Sequence, residues 1–238
     1  MSKSFGAVQA LDKVDFELMP GEVMALVGDN GGGKSTPVKG IAGIYPFDQG
    51  AVFFNGKEVN IQGPRDAAAL GIEVVYQDLA FADNLDVVAN MFLGREMINS
   101  PFRLDESGME RTCIETLDSL AVTSLHSVRQ LIADLSGGQR QAVAVAKAVM
   151  WNSRVVIMDE PTAALGIVQT RQVLDLIKRL SHRGLGVIMI SHNLQDVFAV
   201  ADRITVLRLG QRVQVFTRSA TTQQQVVEAM TMGAVKER

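Results

Sequence analysis

The chain has 238 residues, long enough for one domain carrying an inserted lobe and for burying most of its apolar surface. A formal net charge of −3 offers no overall basic field, so no nucleic-acid partner is expected. The single cysteine, Cys113, excludes an internal disulfide and a cysteine metal cluster, and no stretch is apolar enough for a membrane span or an export leader, so any membrane connection is expected to come through a partner.

Apolar runs alternate with helical pattern, the rhythm of a largely parallel sheet with helices on its faces. Phe16 and Leu18 are expected in a first strand, with Pro20-Gly21 as the turn into a second over Val23–Val27. A helix is expected over Lys34–Ala42 with Gly43 as its C-cap. Val52–Phe54 and Val59–Ile61 flank Asn55-Gly56, a hairpin signal and an expected antiparallel addition to the sheet. Pro64–Leu70 reads as a short helix and Ile72–Tyr76 as a strand ending at Gln77. From Asp78 to about Asp134 strand pattern stops; Asp86 and Asp105 are placed to cap helices over Val87–Leu93 and Glu106–Leu120. Strands are expected again at Val155–Met158, Val187–Ile190 and Ile204–Leu209, alternating with helices over Gln139–Met150, Ile167–Leu180 and Leu194–Val200, and a last helix over Thr222–Met230. Phe81, Met91, Phe92 and Met97 read as the core of the helical lobe.

The most specific short stretch is Gly28-Asp29-Asn30-Gly31-Gly32-Gly33-Lys34-Ser35-Thr36, between a strand and a helix. It fits the phosphate-binding loop pattern, in which glycines let backbone N–H groups close on a polyphosphate at the positive end of the following helix. Lys34 is then the ligand of the β and γ phosphates, and the Ser35 hydroxyl a ligand of Mg2+. Asp159 ends an apolar strand where open α/β sheets bind ligands, placed to hold Mg2+ directly or through water; Glu160 follows, placed to orient or deprotonate an attacking water. Leu135-Ser136-Gly137-Gly138-Gln139 opens another helix and is a second anion-suited device, beside its plain reading as a helix cap. One nucleotide needs no second such loop, so this one is expected to serve another molecule's phosphate.

With GDNGGGKST, YQDLAFADNL, LSGGQRQAVAVAKAV, VVIMDEPTAAL and ISHNLQDVFAVADRI in that order, the chain resembles, over nearly its whole length, the ATP-binding subunits of ABC transporters. The longer stretch from Ala42 to Glu96 is similar to bacterial importers of ribose, xylose, fructose or related monosaccharides. The resemblance implies a single ATPase domain with a P-loop NTPase core at 1–77 and 141–215, an inserted α-helical subdomain with the signature loop at 78–140, and a helical tail at 216–238. It implies that Gln77 touches Mg2+ and water, that His192 contacts the γ phosphate, that Phe5 stacks on adenine, and that Ser136 and Gly138 bind the ATP of an opposite subunit. The implied cofactors are ATP and Mg2+. The implied partners are a second copy in a head-to-tail dimer, transmembrane permease subunits, and indirectly a periplasmic or extracellular sugar-binding protein, with the chain peripheral on the cytoplasmic face of the membrane. Rival readings are a soluble non-transport ABC ATPase and a low-turnover regulatory nucleotide-binding module.

Two positions depart from the family pattern: Pro37 stands where an aliphatic residue is expected in the first helix, and Gly166 where most relatives carry aspartate. Pro37 lacks an N–H and its ring crowds the carbonyl of Gly33, so weakened nucleotide binding or helix packing with an intact fold is expected. The chain also begins without the short strand that usually precedes the Phe5 region, so an open sheet edge is expected.

Overall fold

A computed structural model describes residues 1–29, 31–100 and 103–232. Strands β1 (Lys3–Phe5) and β2 (Val8–Leu11) form an antiparallel ribbon, and β3 (Val23–Val27) enters the main sheet and leads to α1 (Ser35–Ile41). Next come β4 (Val52–Phe54), β5 (Lys57–Val59), α2 (Pro64–Ala69) and β6 (Ile72–Val75). The inserted segment holds α3 (Val87–Phe92), β7 (Ile98–Ser100), β8 (Arg103–Leu104) and α4 (Glu106–Ser119), followed by α5 (Gly137–Met150). The chain continues with β9 (Val155–Asp159), α6 (Ile167–His182), β10 (Gly186–Ile190), α7 (Leu194–Val200), β11 (Arg203–Arg208), β12 (Gln211–Thr217) and α8 (Gln223–Met232).

The main sheet has six strands in the order β12-β11-β3-β10-β9-β6, parallel except for β12. Strands β3 and β10 are buried at every position, and β9 at its three central ones, so their uninterrupted aliphatic sequences are those of strands covered on both faces. One core layer joins α3, α4, α5 and α6 to the sheet through Met91, Phe92, Cys113, Val143, Ile177 and Met189. The opposite face is filled by Leu26, Val38, Ile157 and Ile190 with the hairpin residues Val52 and Phe54. Parallel strands bring the C-terminal ends of β3, β9, β10 and β6 to one edge, and that edge carries the chemistry.

Several local expectations change. No strand forms over Phe16 and Leu18; both are half-buried side chains of an irregular segment packed on the sheet, an apolar pattern that packing produces without pairing. The Asn55-Gly56 turn has positive φ at both residues, 51° and 73°, as a two-residue hairpin demands, and its strands pair with each other as a separate ribbon. Strand β12 was not anticipated, and neither was β7–β8, which interrupts the helical lobe. Asp86 and Asp105 cap α3 and α4, accepting from the N–H groups of Ala89 and Gly108 at 2.7 and 3.0 Å. In the lobe Met91 and Phe92 are core, whereas Met97 is 37% exposed. At the N-terminus the Met1 ammonium donates to the Val14 carbonyl, and Ser2 bridges to Gln49.

Candidate functional site

A cavity of about 570 Å³ opens at the strand-end edge, lined by Gly31, Gly33, Lys34, Ser35 and Thr36 on one side and by Gln77, Asp159 and Glu160 on another. Residues as distant in sequence as Gly31 and Glu160 thereby share one cleft, because β3, β6 and β9 run parallel and end together. Gly28, Asp29 and Gly32 belong to the loop but do not line the cavity; Asn30 lies outside the described residues.

The loop wraps tightly because neighbouring backbone leaves no space. A side chain at Gly28, whose φ is 153°, would place its Cβ 2.1 Å from the Leu207 carbonyl oxygen of β11. One at Gly33, with φ 94°, would lie 2.9 Å from the Ala10 oxygen. Lys34 is 9% exposed, and its ammonium donates to the carbonyls of Gly28 and Asp29 at 2.8 and 2.9 Å. These are the contacts a polyphosphate oxygen would replace, since an ammonium binds a phosphate anion more strongly than a neutral carbonyl. Pro37 is the third residue of α1 and is buried; at that position no N–H finds an intrahelical acceptor, so the helix forms with the proline in place.

Opposite the loop, Glu160 follows β9 with φ of 50°, a left-handed conformation that costs an L-residue roughly 1–2 kcal/mol. Its N–H donates to the Ile190 carbonyl at 2.9 Å, which anchors the bend, and its Oε1 lies 2.8 Å from Nδ1 of His192. Strand β10 supplies that histidine two residues past its end. Burial, with the Glu160 charge next, raises the Asp159 carboxyl above its ordinary range, while Lys39 and Lys34 oppose the rise. Such a carboxylate favours a cation beside it. Ser35, Gln77 and Asp159 all border the cavity and offer the hard oxygen donors that Mg2+ takes together with phosphate oxygens and water, so the residues present fit that ion.

The remaining sequence-predicted residues lie elsewhere. Phe5 is 47% exposed and does not line the cavity; its ring meets Tyr45 edge to face at 5.0 Å, with the Lys3 ammonium 5.6 Å from its centre. The Tyr45 hydroxyl donates to the Thr36 carbonyl at 3.1 Å, tying this aromatic pair to α1. Leu135–Gln139 does not border the cavity either. Ser136 caps α5, accepting from the Gln139 N–H at 3.4 Å, while its own N–H donates to the Gln139 side chain at 2.9 Å. Ser136 and Gly137 are exposed and Gly138 is buried, where a Cβ would stand 2.8 Å from Cγ of Gln169. Gln169 in turn accepts from the Gly166 N–H at 2.8 Å, so the signature loop packs directly on the segment that follows Glu160.

Sequence reasoning missed Val8, Gln9, Ala10, Ile190, Leu209 and Gly210 as cavity residues. The one available signal was Leu209-Gly210 between two β-patterned runs, a hairpin turn whose place beside the loop depends on β11 pairing with β3.

A family model described as ABC transporter matches residues 11–163. The chain is 46% identical over 236 residues to the fructose import ATP-binding protein FrcA of Rhizobium meliloti, covering 96% of this chain and 90% of that protein. It is also 46% identical over 233 residues to the xylose/arabinose import ATP-binding protein XylG of Sulfolobus acidocaldarius, covering 98% and 92%. A solved nucleotide-free ATP-binding cassette from an ABC transporter superposes with a TM-score of 0.81 at 25% identity, over 95% of this chain and 94% of that one. With the family model spanning more than half of the residues and two relatives matched nearly end to end, this chain belongs to the ABC transporter family as one of its ATP-binding subunits.

Proposed function

We propose that the chain binds and hydrolyses ATP with Mg2+ and so energises import of a monosaccharide through a separate membrane permease. The observation that carries the reading is the meeting of Lys34, Asp159 and Glu160 in one cleft, with Glu160 held against His192 at 2.8 Å. Lys34 leaves the carbonyls of Gly28 and Asp29 for the β and γ phosphate oxygens, and the loop N–H groups receive the rest of the polyphosphate. Ser35, Gln77 and Asp159 hold Mg2+, which when bound neutralises phosphate charge. With Glu160 ionised, His192 donates through Nδ1 to Oε1, a tautomer assigned from the hydrogen bond. That contact fixes the carboxylate and leaves Oε2 to orient water; the same Nδ1–H, once released from Glu160 by rotation of the imidazole, is instead a donor for the developing charge of the γ phosphate.

The exposed Ser136 and Gly137 beside the buried Gly138 support the reading that the signature loop completes the site of a second copy in a head-to-tail dimer. Phe5, with half its ring free, is the aromatic assigned to adenine. The import names of the relatives support a peripheral place on the cytoplasmic face beside a permease, with a sugar-binding protein delivering cargo outside; no described helix is long and apolar enough to cross a membrane. In this reading the single ATPase domain is made of the core at 1–77 and 141–215, the subdomain at 78–140 and the tail at 216–238. The import names of the relatives support this reading over a soluble, non-transport ATPase.

Glu160→Gln tests it. The variant should bind ATP, hydrolyse it at least 100-fold more slowly, in line with loss of a general base, and accumulate as a dimer in gel filtration with ATP. Hydrolysis at the wild-type rate would remove Glu160 from the role of base.

A further inference from the structure

Among the described residues, two two-residue hairpin turns share one backbone form. Asn55-Gly56 joins β4 to β5 with φ of 51° and 73°; Leu209-Gly210 joins β11 to β12 with φ of 48° and 75°. Turns with positive φ at both positions favour Asn-Gly, because asparagine tolerates the left-handed region through local hydrogen bonding and leucine has no such compensation. The second turn therefore holds a leucine where the backbone disfavours it. Leucine also fails there as a core residue: Leu209 is 75% exposed.

The surroundings hold this turn rigidly against the nucleotide cleft. The Asp12 N–H donates to the Gly210 carbonyl at 2.8 Å, the Gly210 N–H to the Gly32 carbonyl at 3.2 Å, and the Gln211 side chain to Asp12 at 3.0 Å. A Cβ on Gly210 would lie 2.6 Å from the Ala10 oxygen, so the turn is wedged between β2 and the phosphate loop with no freedom to relax. Leu209 lines the same cavity as Lys34 and Ser35, together with Val8, itself 66% exposed. The polar phosphate end of the cleft thus continues into an apolar rim built from two exposed aliphatic side chains. Strain at a fixed turn and exposed apolar area both persist without compensation inside the chain, and a ligand face laid against the rim supplies it.

We propose that Leu209, with Val8, forms the wall that packs against the nucleoside part of the bound nucleotide, its ribose and base face. The inference rests on the nucleotide site proposed above and adds a contact outside the phosphate loop, the Mg2+ residues and Phe5. An aliphatic wall reads a nucleoside without reading base identity, so adenosine and guanosine diphosphates gain equally from it.

The test measures binding of MgADP, MgGDP and Mg-pyrophosphate by titration calorimetry to the full chain, to Leu209→Asn and to Leu209→Met, with thermal unfolding of each. Leu209→Asn should weaken MgADP and MgGDP about fivefold, the effect of losing partial burial of one leucine. It should leave Mg-pyrophosphate within about twofold, and unfold no earlier than wild type because asparagine suits the turn. Leu209→Met, still apolar, should keep wild-type affinity for both diphosphates. Unchanged MgADP binding in Leu209→Asn overturns the inference, and equal weakening of MgADP and pyrophosphate overturns it too by making the turn a support for the phosphate loop. A wild-type chain that binds neither MgADP nor pyrophosphate removes the nucleotide site itself, a failure distinct from the other two.

Discussion

Adding a single methyl group at Gly28 should separate the two demands placed on the phosphate loop. In Gly28→Ala the new Cβ falls 2.1 Å from the Leu207 oxygen and 3.1 Å from its carbon, both backbone atoms of β11 that cannot swing aside like a side chain. Relief requires β11 or the loop to shift, and β11 is held by β3 on one side and β12 on the other. Overpacking of this kind costs about 1–3 kcal/mol. The φ of 153° is glycine's region and adds roughly 1–3 kcal/mol. Together these give about 4 kcal/mol, a large part of the ~5–15 kcal/mol that holds a domain folded. Gly31→Ala is the internal comparison: its φ is 82° but nothing lies within 4 Å of the added carbon, so only backbone strain of about 1 kcal/mol applies. Urea unfolding followed by circular dichroism should therefore show Gly28→Ala about 3 kcal/mol less stable than Gly31→Ala, with Tm lower by roughly 6–12 °C. Equal stabilities, or a Gly28→Ala loss below about 1 kcal/mol, would refute the close approach of β11 to the loop.

Two further outcomes follow from positions outside the catalytic residues. Pro37→Leu removes the ring that biases Thr36 away from helical geometry and should tighten ATP binding about threefold; equal affinity by calorimetry would show that the proline is neutral for binding. Cys113 is fully buried, and burial, reinforced by Asp86 and Glu110, pushes its thiol up to about 12 from an ordinary 9.0. Its folded pKa is raised, so the stabilising contribution is complete below pH 9 and is lost as pH rises toward 12, at about 1.4 kcal/mol per pH unit for this one group. The steepness between pH 9.5 and 10.5 should flatten in Cys113→Ala, and an unchanged slope in urea unfolding would contradict the burial argument.

Local chemistry was legible wherever a short stretch determines its own conformation. Asn55-Gly56 announced its turn because both residues accept positive φ, and Asp86 and Asp105 announced helix starts because their carboxylates reach N–H groups three residues on. The glycine-rich turn between β3 and α1 was legible too, since its glycines, Lys34 and Ser35 lie within one continuous segment. Phe16 and Leu18 misled because an apolar side chain packed beneath a sheet leaves the same pattern as a strand within it.

What the sequence determined by itself, then, was the set of elements held together by neighbours: turns, caps, buried aliphatic strands, and the glycine-rich turn between β3 and α1 proposed to hold phosphate. Only the tertiary structure decided that Glu160 bends into the left-handed region to meet His192 and that Leu209 borders the same cavity as Lys34. The physical reason is that these relations are created by strand pairing. The register of β11 on β3 and of β10 on β9 sets which distant side chains share a site, and a pairing register is a property of packed faces that no single segment contains.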